Sequence, residues 1–270
     1  MVNKHSLVDK YLQLLSVEKG PPDFNLLKQI VKAHLIKVPF ENISKLLYKK
    51  QGLNNIPDFP TFLEGIEEFN FGGTCYTNNY YLYSLLEHLG FEIKLCGADM
   101  KNPDVHLISI VKIENHEYIV DAGYAAPFYQ PLPRNLNEDF TVTAANENYI
   151  IKPVDKTGRT RVEQYSDGKL QHWYTAKPEA RNIEDFRKVI RDSYSDDALF
   201  MNAIRITKFT EDGSLVLKNQ YFTETVNRNS STTKVNLGDI PSLIDMNFGM
   251  PLNVVQKAVG HLKELRDIYS

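Results

Sequence analysis

The spacing of apolar residues changes once along this chain of 270 residues, near position 90, and that switch constrains the fold more than any other feature. Before it the period is helical. Leu7, Val8, Tyr11, Leu12 and Leu15 predict a first helix. Pro21, Pro22 and Asp23 supply a start signal for a second, with Phe24, Leu27, Ile30, Val31, His34 and Leu35 on or near one face; Pro39 closes it. The segment VPFENIS, residues 38–44, reads as a loop or turn. A third helix is expected over 75–89, where Leu82, Leu85, Leu86 and Leu89 are apolar and Gly90 stands at the cap position.

After the switch, Phe91, Ile93 and Leu95 alternate, and β-rich runs follow at 105–113, 117–121, 140–143, 149–154, 161–165 and 169–176. Residues 114–116 read as one hairpin turn, and Asp167-Gly168 is a strong signal for another. Strands at such short intervals point to a barrel or a sandwich. Beyond Asn182 the pattern is mixed. A short helix through Ile183, Phe186, Val189 and Ile190 precedes strands at 203–209, 214–217 and 221–226, and an amphipathic helix over 252–268 closes the chain. Helices, then strands, then a mixture predict an α+β protein with subdomains over 1–90, 91–180 and 181–270.

Thirty-one Lys and Arg against 34 Asp and Glu give a net charge of −3, without the basic footprint of a nucleic-acid binder. No run approaches the ~18 apolar residues of a membrane span, and the first residues lack a signal-peptide pattern. Two cysteines speak against a disulfide framework and for a reducing compartment, so a cytoplasmic protein is expected. No Cys-x-x-Cys or His-Glu-x-x-His is present, and no metal is expected.

The chemistry concentrates in FNFGGTCYTNNYYLYSLLEHLGF. Gly72 and Gly73 precede Cys75, which opens the third helix. Unpaired N–H groups and the helix dipole favour a thiolate there, and glycines let the backbone approach a substrate. A buried structural cysteine after a helix-start turn fits the same letters. Cys96, inside an alternating strand, reads as an ordinary core residue.

A cysteine nucleophile needs a base, and the base needs an orienter. Among the seven histidines, His106 stands apart because it opens the apolar run HLISIV, where an imidazole needs a polar partner. Asp121 ends the apolar run YIVD across the expected hairpin. A two-residue loop, Glu114-Asn115, puts 106 opposite 123 and 121 diagonally on the same face; a three-residue loop puts them on opposite faces. Singly each residue reads as structural. Together with Cys75 they read as a catalytic set.

The order Cys75, His106, Asp121, with GGTC before a helix, VHLISIV and VDAGYAAPFYQPL, resembles the arylamine N-acetyltransferases. The family's signatures are Arg-Gly-Gly-x-Cys-x-Glu-x-Asn, a His opening a strand, Asp-x-Gly-Phe-Gly followed by Pro-Leu, and an upstream Pro-Phe-Glu-Asn. The resemblance covers roughly residues 5–225. It implies a helical N-terminal subdomain, a central antiparallel β-barrel and a C-terminal α/β lid. It also implies Cys75 as the acetylated nucleophile, His106 as base, Asp121 as its orienter, and Phe40 and Tyr124 at the acceptor pocket. The implied cosubstrate is acetyl-CoA, used in a ping-pong reaction with an arylamine or arylhydrazine. Backbone N–H groups around Gly123 are expected at its pyrophosphate, and a monomer or homodimer is expected.

Three positions depart from the pattern. Phe71 stands for the arginine before the glycines, Thr77 for the glutamate after the cysteine, and Ala125 for the glycine after Tyr124, while Asn79 is retained. The arginine is the expected partner of Glu41, so another group must hold that carboxyl, or it sits in solvent. An intact triad in an altered shell is read as retained activity with shifted acceptor choice, rather than a folded but slow site. Three other functions fit some of the residues: an amide synthase acting on an acyl thioester, a cysteine hydrolase with the same residue order, and a non-catalytic binding protein using the aromatic cleft. The gaps of 31 and 15 residues between Cys75, His106 and Asp121 favour the acetyltransferases over the hydrolases.

Overall fold

The computed structural model describes residues 4–260, 262, 265 and 266. Helices α1 (Lys4–Leu15) and α2 (Phe24–Lys37) come first, then β1 (Phe40–Glu41), α3 (Ile43–Lys50), α4 (Phe59–Phe69) and α5 (Cys75–His88). Eight strands follow: β2 (Glu92–Asp99), β3 (His106–Ile113), β4 (His116–Val120), β5 (Leu132–Pro133), β6 (Phe140–Ala144), β7 (Glu147–Ile151), β8 (Thr160–Ser166) and β9 (Lys169–Ala180). A 3₁₀ turn at Ile183–Phe186 leads into α6 (Arg187–Asp192). The remainder is β10 (Arg205–Phe209), β11 (Gly213–Lys218), β12 (Tyr221–Val226), β13 (Asn229–Lys234), α7 (Ile240–Phe248) and α8 (Leu252–Val259).

The period switch falls where the strands begin. The segment 38–44 is more ordered than a loop, because Phe40 and Glu41 pair with Thr207 and Ile206 and α3 starts at Ile43. The closing helix is shorter than its apolar spacing predicts. It ends at Val259, Leu262 and Leu265 pack on the core from outside it, and the rest of the expected span lies outside the described residues.

The chain forms two compact units, a different cut from the division by element type at 90 and 180. One holds the residues up to Leu35 together with Asn79–Phe186. Its eight strands run in the order β5-β4-β3-β2-β9-β8-β7-β6, all antiparallel, as a nearly closed barrel. Alternation drives this sheet: Ile108, Ile110, Ile119, Tyr149, Ile151, Val162 and Tyr174 are buried in one apolar cluster with Phe128 and Leu132. Fully burying each such side chain stabilises by about 1.5–3 kcal/mol. The hairpin β3–β4 closes with Ile113 opposite His116, so its loop is the two residues Glu114-Asn115.

The other unit holds Ile36–Asn78 and Arg187–Ser270. Its antiparallel sheet runs β1-β10-β11-β12-β13. Ile43, Leu46, Phe71, Ile204, Ile206, Leu217, Ile244, Phe248 and Val255 form its core. Among the described residues no helix is long and apolar enough to cross a membrane, and no group of three or more His, Cys, Asp and Glu could hold a metal ion.

Candidate active site

In the barrel unit, the hairpin register carries His106 to the first position of β3 and leaves Asp121 just past the end of β4. Both side chains are buried, and His106 Nε2 lies 2.8 Å from Asp121 Oδ2. The other carboxylate oxygen, Oδ1, accepts from Asn79 Nδ2 at 2.8 Å and from the Gly123 amide at 2.9 Å. Asn79 Nδ2 also donates to the Leu107 carbonyl at 2.5 Å, and Asn79 Oδ1 accepts from the Ala122 amide at 2.8 Å. One asparagine side chain therefore ties the start of β3 to the turn after β4. A buried carboxylate needs such donors, since desolvation otherwise costs several kcal/mol.

Aromatic rings enclose the imidazole. Tyr174 lies 5.1 Å from His106, and Tyr124 lies 5.9 Å from it at 60°. Burial first, then the Asp121 carboxyl, pushes the Tyr174 hydroxyl well above its ordinary pKa. Tyr124 stacks on Phe128 at 6.1 Å and 7°. Gly123, expected as a donor to a pyrophosphate, has its N–H engaged with Asp121. Ala125, where the pattern has glycine, has φ 58.

In the second unit, Cys75 opens α5 and is partly exposed. The turn before it is fixed by contacts that demand glycine. A Cβ on Gly72 would sit 2.0 Å from the Pro39 carbonyl oxygen, and Gly73 has φ 143 with Thr77 Cβ 2.7 Å from its own Cβ position. Phe71 stands in the apolar core against the rings of Tyr48 and Phe69, at 6.3 and 5.4 Å.

Glu41 is fully buried, so solvent does not replace the missing arginine. Its Oε1 accepts from Ser44 Oγ at 2.5 Å and the Gly72 amide at 3.1 Å, and Oε2 accepts from the Ser44 amide at 2.9 Å. Burial raises its pKa, and these hydrogen bonds act against that rise. The carboxyl thus clamps the turn before Cys75 to the N-terminus of α3. Its neighbour Asn42 donates to the Phe200 and Ala203 carbonyls and accepts from the Arg205 amide. Phe40 is buried with its ring 5.8 Å from Phe200.

Sequence reasoning passed over Lys45, which is nearly buried, donates to Ser193 Oγ at 2.7 Å and lies 4.3 Å over the Tyr194 ring. Burial lowers its pKa to about 8, while the Cys75 side chain acts the other way. The clamping role of Ser44 was also missed. No pattern announces a hydrogen bond to a carboxyl whose usual partner is absent. Cys96 is buried, and burial pushes its thiol up to about 12, the reverse of an activated cysteine. His34 is a core residue, bonded to the Tyr11 hydroxyl at 2.7 Å.

Residues 23–258 match the model of the N-acetyltransferase family. The chain belongs to this family. It is 28% identical over 229 residues to the Gallus gallus arylamine N-acetyltransferase, pineal gland isozyme NAT-10, covering 75% of this chain and 77% of that protein. Proansamycin X synthase of Amycolatopsis mediterranei is 27% identical over 135 residues, 46% of this chain and 51% of that protein. The solved arylamine N-acetyltransferase of Salmonella typhimurium superimposes with a TM-score of 0.79 at 18% identity, over 95% of this chain and 99% of that one. This acetyltransferase is an acyl-transferring enzyme of the arylamine N-acetyltransferase type. Both of its units, the barrel and the five-stranded sheet with its helices, fall within the matched fold.

Proposed function

We propose that Cys75 takes an acetyl group from acetyl-CoA as a thioester and passes it to an aromatic amine or hydrazine, by a ping-pong route. The thiolate attacks the acetyl carbonyl and the CoA thiolate leaves. The amine nitrogen then attacks the enzyme thioester, His106 takes its proton, and the Cys75 thiolate is released. Asp121 fixes the imidazole's orientation and stabilises its charged form. Exchange of one thioester for another is nearly thermoneutral, so the acetyl-enzyme stays reactive.

The observation that carries this reading is the buried His106–Asp121 pair with its remaining carboxylate oxygen satisfied by Asn79 and Gly123. A solitary histidine packed for structure does not need a carboxylate held by two further donors. Phe40 and Tyr124 are assigned to the acceptor pocket. The Gly123 N–H is held by Asp121, so that group is not assigned to the cofactor's pyrophosphate. The protein is taken to work in the cytoplasm as a monomer or homodimer.

The test is the intact mass after brief exposure to acetyl-CoA, beside a Cys75→Ser control. One added acetyl group, absent in the control and discharged by an aromatic amine, is the expected result. An unmodified protein whose Cys75 still reacts with a small alkylating agent overturns the reading. One alternative is an amide synthase or another acyl-thioester transferase that takes an acyl chain longer than acetyl. Loading by a long-chain thioester but not by acetyl-CoA selects it.

A further inference from the structure

Lys45 occupies a position that both burial and helix electrostatics disfavour for a cation. It lies in the first turn of α3, where the helix dipole opposes positive charge, and is only 4% exposed. Lys49 and Lys50, in the last turn of the same helix, stand where the dipole favours lysine. The Lys45 Nζ donates to Ser193 Oγ at 2.7 Å and rests 4.3 Å over the Tyr194 ring. Neither partner is an anion, since burial raises the Tyr194 pKa and keeps its hydroxyl neutral.

Among the described residues no carboxylate pairs with Lys45. Glu41, four positions earlier on β1, spends its oxygens on Ser44 and the Gly72 amide. Tyr48 of α3 is held neutral by burial, as Tyr194 is. The remaining charges lie toward the far end of α3, where Lys49 pairs with Asp196 and Lys50 donates to the Lys257 carbonyl of α8. A buried cation without a counter-ion is costly unless another group supplies negative charge. Cys75 is that group. Burial lowers the Lys45 pKa to about 8, and the Cys75 side chain lies close enough to act electrostatically against that fall. The backbone fixes the two together within the second unit. Ser44, beside Lys45, is joined through Glu41 to the Gly72 amide, and Asn78 Nδ2 donates to the Pro39 and Gly73 carbonyls, each at 3.2 Å. The turn before the cysteine has no cation of its own, because Phe71 lies in the apolar core.

We propose that Lys45 is a positioning residue of the acyl-transfer site, supplying from α3 the positive charge against which Cys75 carries its thiolate. The inference rests on the reading of Cys75 as the nucleophile. The interaction is mutual: the thiolate offsets the buried ammonium, and the ammonium offsets the thiolate. Lys45 acts through the sulfur and takes no proton from the acceptor amine.

The test is the pH dependence of Cys75 alkylation by iodoacetamide in wild type, Lys45→Met and Lys45→Arg, with the labelled peptide read by mass. Only the thiolate reacts, so the midpoint of the profile reports its charge balance and the plateau at high pH its access. Lys45→Met should move the midpoint up by about one pH unit, a roughly tenfold slower reaction below both midpoints. Altered packing alone changes the plateau and leaves the midpoint. The substitution removes a buried charge, and Ser193 Oγ keeps its own bond to the Ile190 carbonyl at 2.6 Å, so the variant should melt no lower than wild type. Lys45→Arg keeps the charge and should return the midpoint toward that of wild type. An unmoved midpoint in Lys45→Met overturns the proposal, as does a midpoint in Lys45→Arg as high as in Lys45→Met. Alkylation needs no acetyl-CoA, so the two failures separate. A protein that acetylates Cys75 with an unmoved midpoint loses only this inference. One with the shifted midpoint that acetyl-CoA does not load keeps the Lys45–Cys75 pair and loses the transferase reading.

Discussion

Two turns of this protein depart from the family pattern, and they tolerate the departure in opposite ways. In the turn before Cys75 the arginine is gone but both glycines remain; in the turn after Asp121 the second glycine is gone. Gly72 and Gly73 persist because a Cβ there meets the backbone carbonyl of Pro39 or the side chain of Thr77. At Ala125 the backbone keeps φ 58, which an alanine adopts at a cost of about 1–2 kcal/mol. Loss of the arginine is absorbed because Glu41 finds the Ser44 and Gly72 donors instead. The difference teaches that a charge or a strained dihedral can be compensated locally, whereas an overlap with backbone cannot.

The sharpest break in that comparison is at Asp121. In Asp121→Asn the amide oxygen must stay at the Oδ1 position, where Asn79 and Gly123 both donate. The amide nitrogen then faces His106 Nε2, and the ring must become the acceptor there. Such a tautomer reversal lowers acyl transfer roughly ten-thousand-fold in triad enzymes. Single-turnover acetylation followed by mass should fall by a comparable factor. A loss under tenfold makes the His106–Asp121 pair merely structural.

Next in size is Gly72→Ala. Moving the Pro39 carbonyl out of the way displaces β1 as well as the turn, and overpacking of this kind costs about 3 kcal/mol. Urea unfolding should register it, while Gly238→Ala, with open space around the added Cβ, stays within about 0.5 kcal/mol of wild type.

Glu41 gives a smaller effect with a pH signature. Glu41→Ala strands the Ser44 and Gly72 donors, a loss of about 2 kcal/mol. The folded-state pKa of Glu41 is raised above its ordinary 4.5, so the unfolded chain releases this proton first as pH increases. Its contribution is full below that ordinary value and is lost as pH rises through the folded one. Glu41→Gln, which cannot ionise, should therefore gain on wild type as pH rises above its ordinary 4.5 in paired urea titrations. A difference that stays constant as pH rises means that the folded and unfolded pKa values of Glu41 coincide.

What the sequence made legible follows the same physics. The barrel strands and α1, α2 and α5 each bury one face, so their period is written in the letters. Strand β13, NSSTTK, is exposed along its whole length, and nothing apolar repeats in it. Helix α3 hides behind a proline-bounded segment that reads as a turn. The pairing of His106 with Asp121 was readable because hairpin register is arithmetic. The support from Asn79 and Lys45 was not, because hydrogen bonds between side chains distant in sequence leave no periodicity. Asn79 reaches Asp121 across 42 positions and Lys45 reaches Ser193 across 148.

The smallest effect tests the claim about tolerance directly. Ala125→Gly should relieve the left-handed strain of about 1–2 kcal/mol, against about 0.4–1 kcal/mol of added disorder in the unfolded chain. The net expectation is a gain of about 0.5–1 kcal/mol in urea unfolding, on the order of a few degrees in melting temperature for a chain of this length. A gain means that alanine is kept at 125 despite a stability cost, and the site beside Tyr124 becomes the place to look for its benefit, through acceptor kinetics of the same variant. A loss means the alanine methyl makes a contact worth more than the strain, and the turn after Asp121 is then compensated by packing just as Glu41 is by hydrogen bonds.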